Sequence, residues 1–270
     1  MKNSTKILIV FLLLTAPLSL RAQASDQLES GRPNEASFEN SLDLNKNHLE
    51  HSTQLGLIFA TGNTQSLSLS GTSETLWRIK RWQNQWELGA FFNRVSSTTN
   101  GGPTGTLAHY IYGNYRLDYF FSRYTTVFGG TGGYTDEIKG TDLALQGFVG
   151  LSHYLIRRPK ILFQLSGGYN YTYENQIEPD PSRQIHSAFL GYQYQHHLKD
   201  YLSLSHGTEF LESFNDYQDF RIHSDTELKV KLNKVLSLAL GFRLRFDNLP
   251  ATGFKKLDTL SDLGLVVSLP

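Results

Sequence analysis

From residue 220 onward the chain alternates. Phe220, Ile222, Leu228, Val230 and Leu232 share one parity, broken only by Ser224 and Thr226. Arg221, His223, Asp225, Glu227, Lys229 and Lys231 take the other. After Asn233-Lys234 the pattern restarts, with Leu236, Leu238, Leu240, Phe242, Leu244 and Phe246 against Ser237, Ala239, Gly241, Arg243, Arg245 and Asp247. A period of two is the signature of a β-strand, whose successive side chains point to opposite faces of the sheet. Strands this long, apolar on one face and densely charged on the other, predict a wall between lipid and a polar interior.

The same reading extends along the chain. It predicts strands at 54–60, 64–79, 85–95, 106–119, 124–134, 142–155, 160–174, 184–197, 201–211, 220–232, 236–247 and 257–269. The total, about twelve, is the even number expected of a bacterial single-chain barrel. Connections after even-numbered strands (80–84, 121–122, 157–159, 198–200, 233–234) are short. Those after odd-numbered strands are mostly long and rich in Gly, Pro, Ser and Asn, the tight Thr61-Gly62-Asn63-Thr64 turn being the exception. Short periplasmic turns and longer extracellular loops are expected of an outer-membrane barrel, and a soluble sandwich has no reason to produce them. The fold expected is therefore all-β: a single transmembrane antiparallel up-and-down β-barrel over residues 51–270, with periplasmic termini.

The N-terminus adds a route. Lys2 and Lys6 precede an apolar run at 7–14, and Ala22-Gln23-Ala24 is a small-x-small cleavage site. We expect residues 1–24 to be a signal peptide and 25–50 to be a flexible periplasmic segment. The chain has no cysteine, so neither a lipid-anchored N-terminus nor a disulfide is expected. Net charge is zero, which gives no reason to expect a nucleic-acid partner. Low mean hydropathy fits a barrel, since lumen residues dilute every apolar window.

The aromatic residues, 14 Tyr, 17 Phe and 3 Trp, gather near predicted strand ends. Trp77, Trp82 and Trp86 flank one short turn, Tyr119 and Phe121 another, and Tyr192, Tyr194 and Tyr201 a third. Tyr169, Tyr171 and Tyr173 cluster near the outer end of their strand. These eleven are the expected girdle at the water–lipid boundaries. Ordinary β propensity would also favour aromatics, but would not place them at strand ends.

Candidate chemistry lies on the charged parity. Arg221, His223, Asp225, Glu227, Lys229, Arg243 and Arg245 are expected to line the lumen, together with Arg116, Asp118, Asp258 and Asp262. Opposite charges on neighbouring strands should pair across the ladder. Such a network either fills a narrow barrel or lines a narrow channel for small solutes or ions. The rival is a barrel hydrolase of phospholipase or protease type. Ser205-His206 and His186-Ser187 do not serve it, because adjacent strand residues face opposite ways. His206 has the parity of Leu202, Leu204 and Phe210, a lipid-facing set with no evident serine beside it. His196-His197 diverge likewise, and Asp136, Glu137 and Asp142 read as solvated loop carboxylates, so no metal or cofactor is expected. The expected partners are outer-membrane lipids, the barrel-assembly machinery and a small solute or ion.

Three stretches carry a resemblance. GLIFATGNTQSLSLSG (56–71), NYRLDYFFSRY (114–124) and NLPATGFKKLDTLSDLGLVVSL (248–269) resemble the family of salt-induced outer-membrane proteins, a domain of unknown function. The likeness spans about residues 50–269. It implies an outer-membrane barrel and a link to salt or osmotic stress, but no chemistry. One departure is the end, Ser268-Leu269-Pro270, where such barrels carry an aromatic residue; the signal read at assembly is weakened accordingly.

Overall fold

The computed structural model describes residues 44, 46–60, 64–97, 104–136, 141–176, 181–249 and 256–269. The expected signal peptide, most of the 25–50 segment and Glu137 lie outside them. The described residues form twelve strands: β1 (His48–Ala60), β2 (Thr64–Ile79), β3 (Trp82–Ser97), β4 (Thr104–Phe120), β5 (Thr125–Asp136), β6 (Thr141–Arg158), β7 (Ile161–Gln176), β8 (Arg183–Lys199), β9 (Leu202–Ser213), β10 (Phe220–Lys231), β11 (Leu236–Asp247) and β12 (Leu257–Leu269). Each pairs antiparallel with its chain neighbours, and β1 pairs with β12 to close the barrel.

Two strands start earlier than the alternation suggested. β1 begins at His48, so residues 48–50 belong to the wall and not to the lead-in. β3 begins at Trp82, leaving only Lys80-Arg81 as the turn. Lys80 takes the positive φ, 54°, that so tight a reversal needs. The cause is common to both. The missed segments put polar side chains inward (Glu50 and Ser52; Gln83), and a polar lumen accepts them where a dry core would not.

Most strands carry one apolar, exposed face, while the outward positions of β9 and β10 include His206, Thr208, Ser224 and Thr226. Leu55, Leu88, Leu151, Leu190, Leu240 and Leu263 are each more than half exposed. A belt of that extent would not be stable in water, and its natural solvent is lipid. The inner face is unevenly filled. Phe128 of β5, Phe148 of β6, Phe189 of β8 and Leu211 of β9 pack together inside the barrel. Phe91, Tyr110, Tyr112, Tyr134 and Ala144 form a second interior cluster nearer the long-loop end. Glycines make room for these rings. A Cβ on Gly150 would lie 2.6 Å from the Gly167 carbonyl oxygen and 2.7 and 2.9 Å from the Phe128 and Phe189 rings.

Among the described residues three strand pairings carry register shifts, the β6–β7 pairing two of them. The clearest is in β6, where Tyr154 pairs with Gln164 and Ile156 with Phe163, so Leu155 has no partner. Leu155 and Ile156 therefore both face outward, at 53% and 39% exposure, and Arg157 turns in. There its guanidinium lies 4.7 Å from the Tyr154 ring centre and 5.2 Å from that of Phe120.

Candidate functional site

The interior charges expected from parity fall among three groups. At the long-loop end, Arg221 of β10 reaches across two intervening strands to Glu174 of β7 at 3.1 Å, and lies 3.4 Å from Asp247 of β11 and 3.7 Å from Asp219. Arg183 of β8 bonds Asp219 at 2.9 Å. This cluster occupies the β7–β11 side of the barrel.

The second group sits lower on β10 and β11, whose register sets Asp225 opposite Arg243 and His223 opposite Arg245. Arg245 Nη2 donates to Asp225 Oδ1 at 2.7 Å, while Arg243 Nε lies 3.9 Å from the same oxygen. Lys229 pairs with Glu227 along its own strand, at 3.1 Å. His223 is buried beside them. Asp262 stands opposite Gly241 and Asp258 opposite Arg245 in the ladder. The third group is Arg116 and Asp118 on β4, two residues apart and bonded at 2.7 Å, with the Arg116 guanidinium 3.8 Å above the Phe128 ring centre. Expected cross-ladder pairing thus holds at Asp225–Arg245, whereas Arg116–Asp118 and Lys229–Glu227 pair within one strand.

Beside these groups runs a cavity of about 840 Å³. Its walls come from β1–β4 and β7–β12, and its lining carries both signs of charge, Glu74, Glu87, Asp225 and Glu227 against Lys229 and Arg243. It runs from the short-turn end of the barrel, marked by Lys160, Asp200 and Lys234, to the level of Arg116 and His223. The Phe128–Phe148–Phe189 cluster fills the opposite side, so the open space is off-axis.

Glu74 and Glu87 were not singled out from the sequence. The signal was present: Leu69 and Trp77 face outward on β2, as do Trp86 and Leu88 on β3, so the intervening glutamates must face in. Glu174 was missed because its partner, Arg221, comes from a strand that is not its neighbour, and Asp219 because it lies in the loop before β10, where its nearest cation is Arg183 of β8.

The aromatic set faces outward. At the short-turn end Trp82 packs on Tyr119 at 4.7 Å and Tyr119 on Phe121 at 5.3 Å, with Trp77, Trp86 and Tyr201 exposed nearby. At the other end Tyr169 stacks on Phe214 at 6.5 Å, and Tyr171 lies 4.9 Å from the ring of His186. Tyr173 shares their outward parity and is half-buried. Tyr192 and Tyr194 serve neighbouring histidines. Tyr192 Oη is 2.8 Å from His206 Nε2, and Tyr194 Oη is 2.9 Å from His196 Nδ1.

His206 is on the outer wall and does have a serine on its face. Its Nδ1 meets Thr226 Oγ1 at 2.8 Å, and Thr208 links it to Ser224 through a 3.2 Å contact. Both ring nitrogens are thus engaged by hydroxyl groups. Ser205 points to the lumen. Asp142 accepts from Asn175 at 3.0 Å. Among the described residues no group of three His, Cys, Asp or Glu side chains is placed to hold a metal.

In overall shape the barrel is similar to an outer-membrane channel from Pseudomonas putida F1. The TM-score is 0.50 at 12% identity, over 87% of this chain and 100% of that one. The NanC porin also matches, with a TM-score of 0.45 at 10% identity, over 82% of this chain and 98% of its own. At these identities the likeness establishes the fold alone. No curated protein matches in sequence. A family model described as "Protein of unknown function, DUF481" matches residues 53–269, nearly the whole barrel, and the chain belongs to that family.

Proposed function

We propose that the protein is an outer-membrane barrel that passes small ions and polar solutes through its off-axis lumen. One observation carries this reading: the cavity of about 840 Å³, lined by charges of both signs and continuous from the short-turn end to mid-barrel. Cavities kept dry are apolar, whereas this one is walled by carboxylates, lysines and arginines, a lining that favours water. The apolar outer wall and its aromatic ends provide for lipid as surroundings, and the short turns and termini face the periplasm. The barrel-assembly machinery and outer-membrane lipids are then its natural partners. The osmotic link implied by the resemblance is not needed for this reading.

The hydrolase reading is weaker, because His206 is ringed by hydroxyls and no carboxylate among the described residues bonds to it.

Reconstitution of the refolded barrel into planar bilayers should give discrete conductance steps that scale with salt. A silent bilayer at every salt concentration would refute the passage. Orientation has its own test. Single cysteines in place of Asn233 and Tyr217 should react differently with a bulky maleimide on intact cells, Tyr217→Cys being labelled and Asn233→Cys spared. The reverse pattern would turn the barrel over.

A further inference from the structure

The geometry points to a cation-attracting station in the lumen, formed by Glu74 of β2 and Glu87 of β3; this deepens the passage reading and rests on it. The two glutamates are register partners, directly opposite one another on the ladder, and both line the cavity. Like charges so placed repel. Elsewhere in the lumen three carboxylates each touch a cation: Asp118 has Arg116, Asp225 has Arg245, and Glu227 has Lys229. Glu74 and Glu87 are held differently. Gln85 Nε2 donates to Glu74 Oε1 at 2.6 Å, and Tyr112 Oη donates to Glu87 Oε1 at 2.9 Å. Both donors are neutral, and among the described residues neither glutamate is in an ion pair.

A second observation points the same way. Gln85 is fully buried, at 0% exposure, and its amide oxygen has no hydrogen-bond partner among the described residues. It lies against Glu74 as a further oxygen acceptor. Oxygen donors with excess negative charge attract hard cations and ammonium groups. The surroundings do not cancel that charge. Lys229 lies within electrostatic reach of Glu74, and Arg243 of Glu87, but each brings an acidic companion, Glu227 and Asp225. Two carboxylates are also too few for a tight metal site. That suits transit, where binding must be strong enough to admit the ion and weak enough to release it. The class of permeant selected is a small inorganic cation or an alkylammonium ion.

The test is the zero-current potential of the refolded full-length barrel in bilayers bathed in a KCl gradient. The natural chain should show preference for potassium over chloride. The double variant Glu74→Gln/Glu87→Gln retains acceptor oxygens for Gln85 and Tyr112, and its folding can be checked by heat-dependent gel mobility. Its cation-to-anion permeability ratio should fall several-fold, whereas Asp142→Asn, on the outer surface, should leave the ratio unchanged. Lys229→Gln should raise it. A conducting barrel whose ratio does not respond to the glutamate pair overturns this inference and leaves the passage standing. A barrel that never conducts overturns both.

Discussion

Ala239 and Leu240 are adjacent in the chain and face different solvents. Ala239 is fully buried against the lumen side and Leu240 is 52% exposed on the lipid side. Leu240→Arg should therefore cost about 2–4 kcal/mol of barrel stability if the residue lies near the bilayer midplane. Ala239→Ser, which adds a hydroxyl to a polar interior, should cost little. Urea unfolding in lipid vesicles measures both, and equal tolerance would reverse the assignment of faces. Arg221 tests the interior in the same way. Arg221→Ala leaves Glu174, Asp219 and Asp247 close together with a shared cation removed. The side chains of Arg221 and Glu174 are 12% and 5% exposed, so breaking the pair should destabilise the barrel by about 3–5 kcal/mol, read from the same unfolding curves. Parity alone told which residues face in, for Arg221 as for Glu87. It could not tell that Arg221 meets Glu174, because that contact depends on the diameter and stagger of a closed sheet.

At the scale of the element, β6 shows what alternation cannot reveal. Its expected end at Leu155 is the position where the pattern breaks, yet the strand continues to Arg158. Periodicity stops there because a bulge adds one unpaired residue and resets the phase. The chemistry of the segment, an arginine packed on two rings, follows from that extra residue. Deleting Leu155 should be tolerated, since Ile156 then faces out and Arg157 still faces in. Deleting Val149 instead should shift a run of the strand by one position, sending either Gly150, Ser152 and Tyr154 or the inward residues before them to the lipid face. A one-residue slip exchanges the two faces of a strand. Refolding yield should fall sharply for the Val149 deletion and change little for the Leu155 deletion. Strand starts were harder to read than strand middles for a related reason. At His48 and Trp82 the inward residues are polar, and no apolar partner marks the beginning.

For the whole molecule the seam matters most. β2 and β3 pair over sixteen residues, from Thr64 with Ser97 to Ile79 with Trp82. β1 and β12 meet over six, from His51 with Leu269 to Gly56 with Gly264. Closure could not be read from local pattern, since it joins segments separated by the full length of the barrel. Because the natural chain has no cysteine, the seam can be tested directly. Ser52 and Ser268 are register partners, and opposed positions hold their Cβ atoms within about 4.5–5.5 Å, near the span of a disulfide. The pair Ser52→Cys/Ser268→Cys should crosslink on oxidation and shift in gel mobility until reduced. Failure to crosslink in a folded barrel would mean that the seam is open or out of register.

The lopsided filling of the lumen has a consequence for descent. Phe128, Phe148 and Phe189, with the glycines that accommodate them, brace one arc of the wall. Glu74, Glu87 and Arg243 stand on the other, beside open space. Changes on the open arc alter what the wall attracts without disturbing the braced one. Related barrels should therefore diverge in their permeant ions faster than in their architecture, keeping the rings and glycines while exchanging the acids and bases across from them.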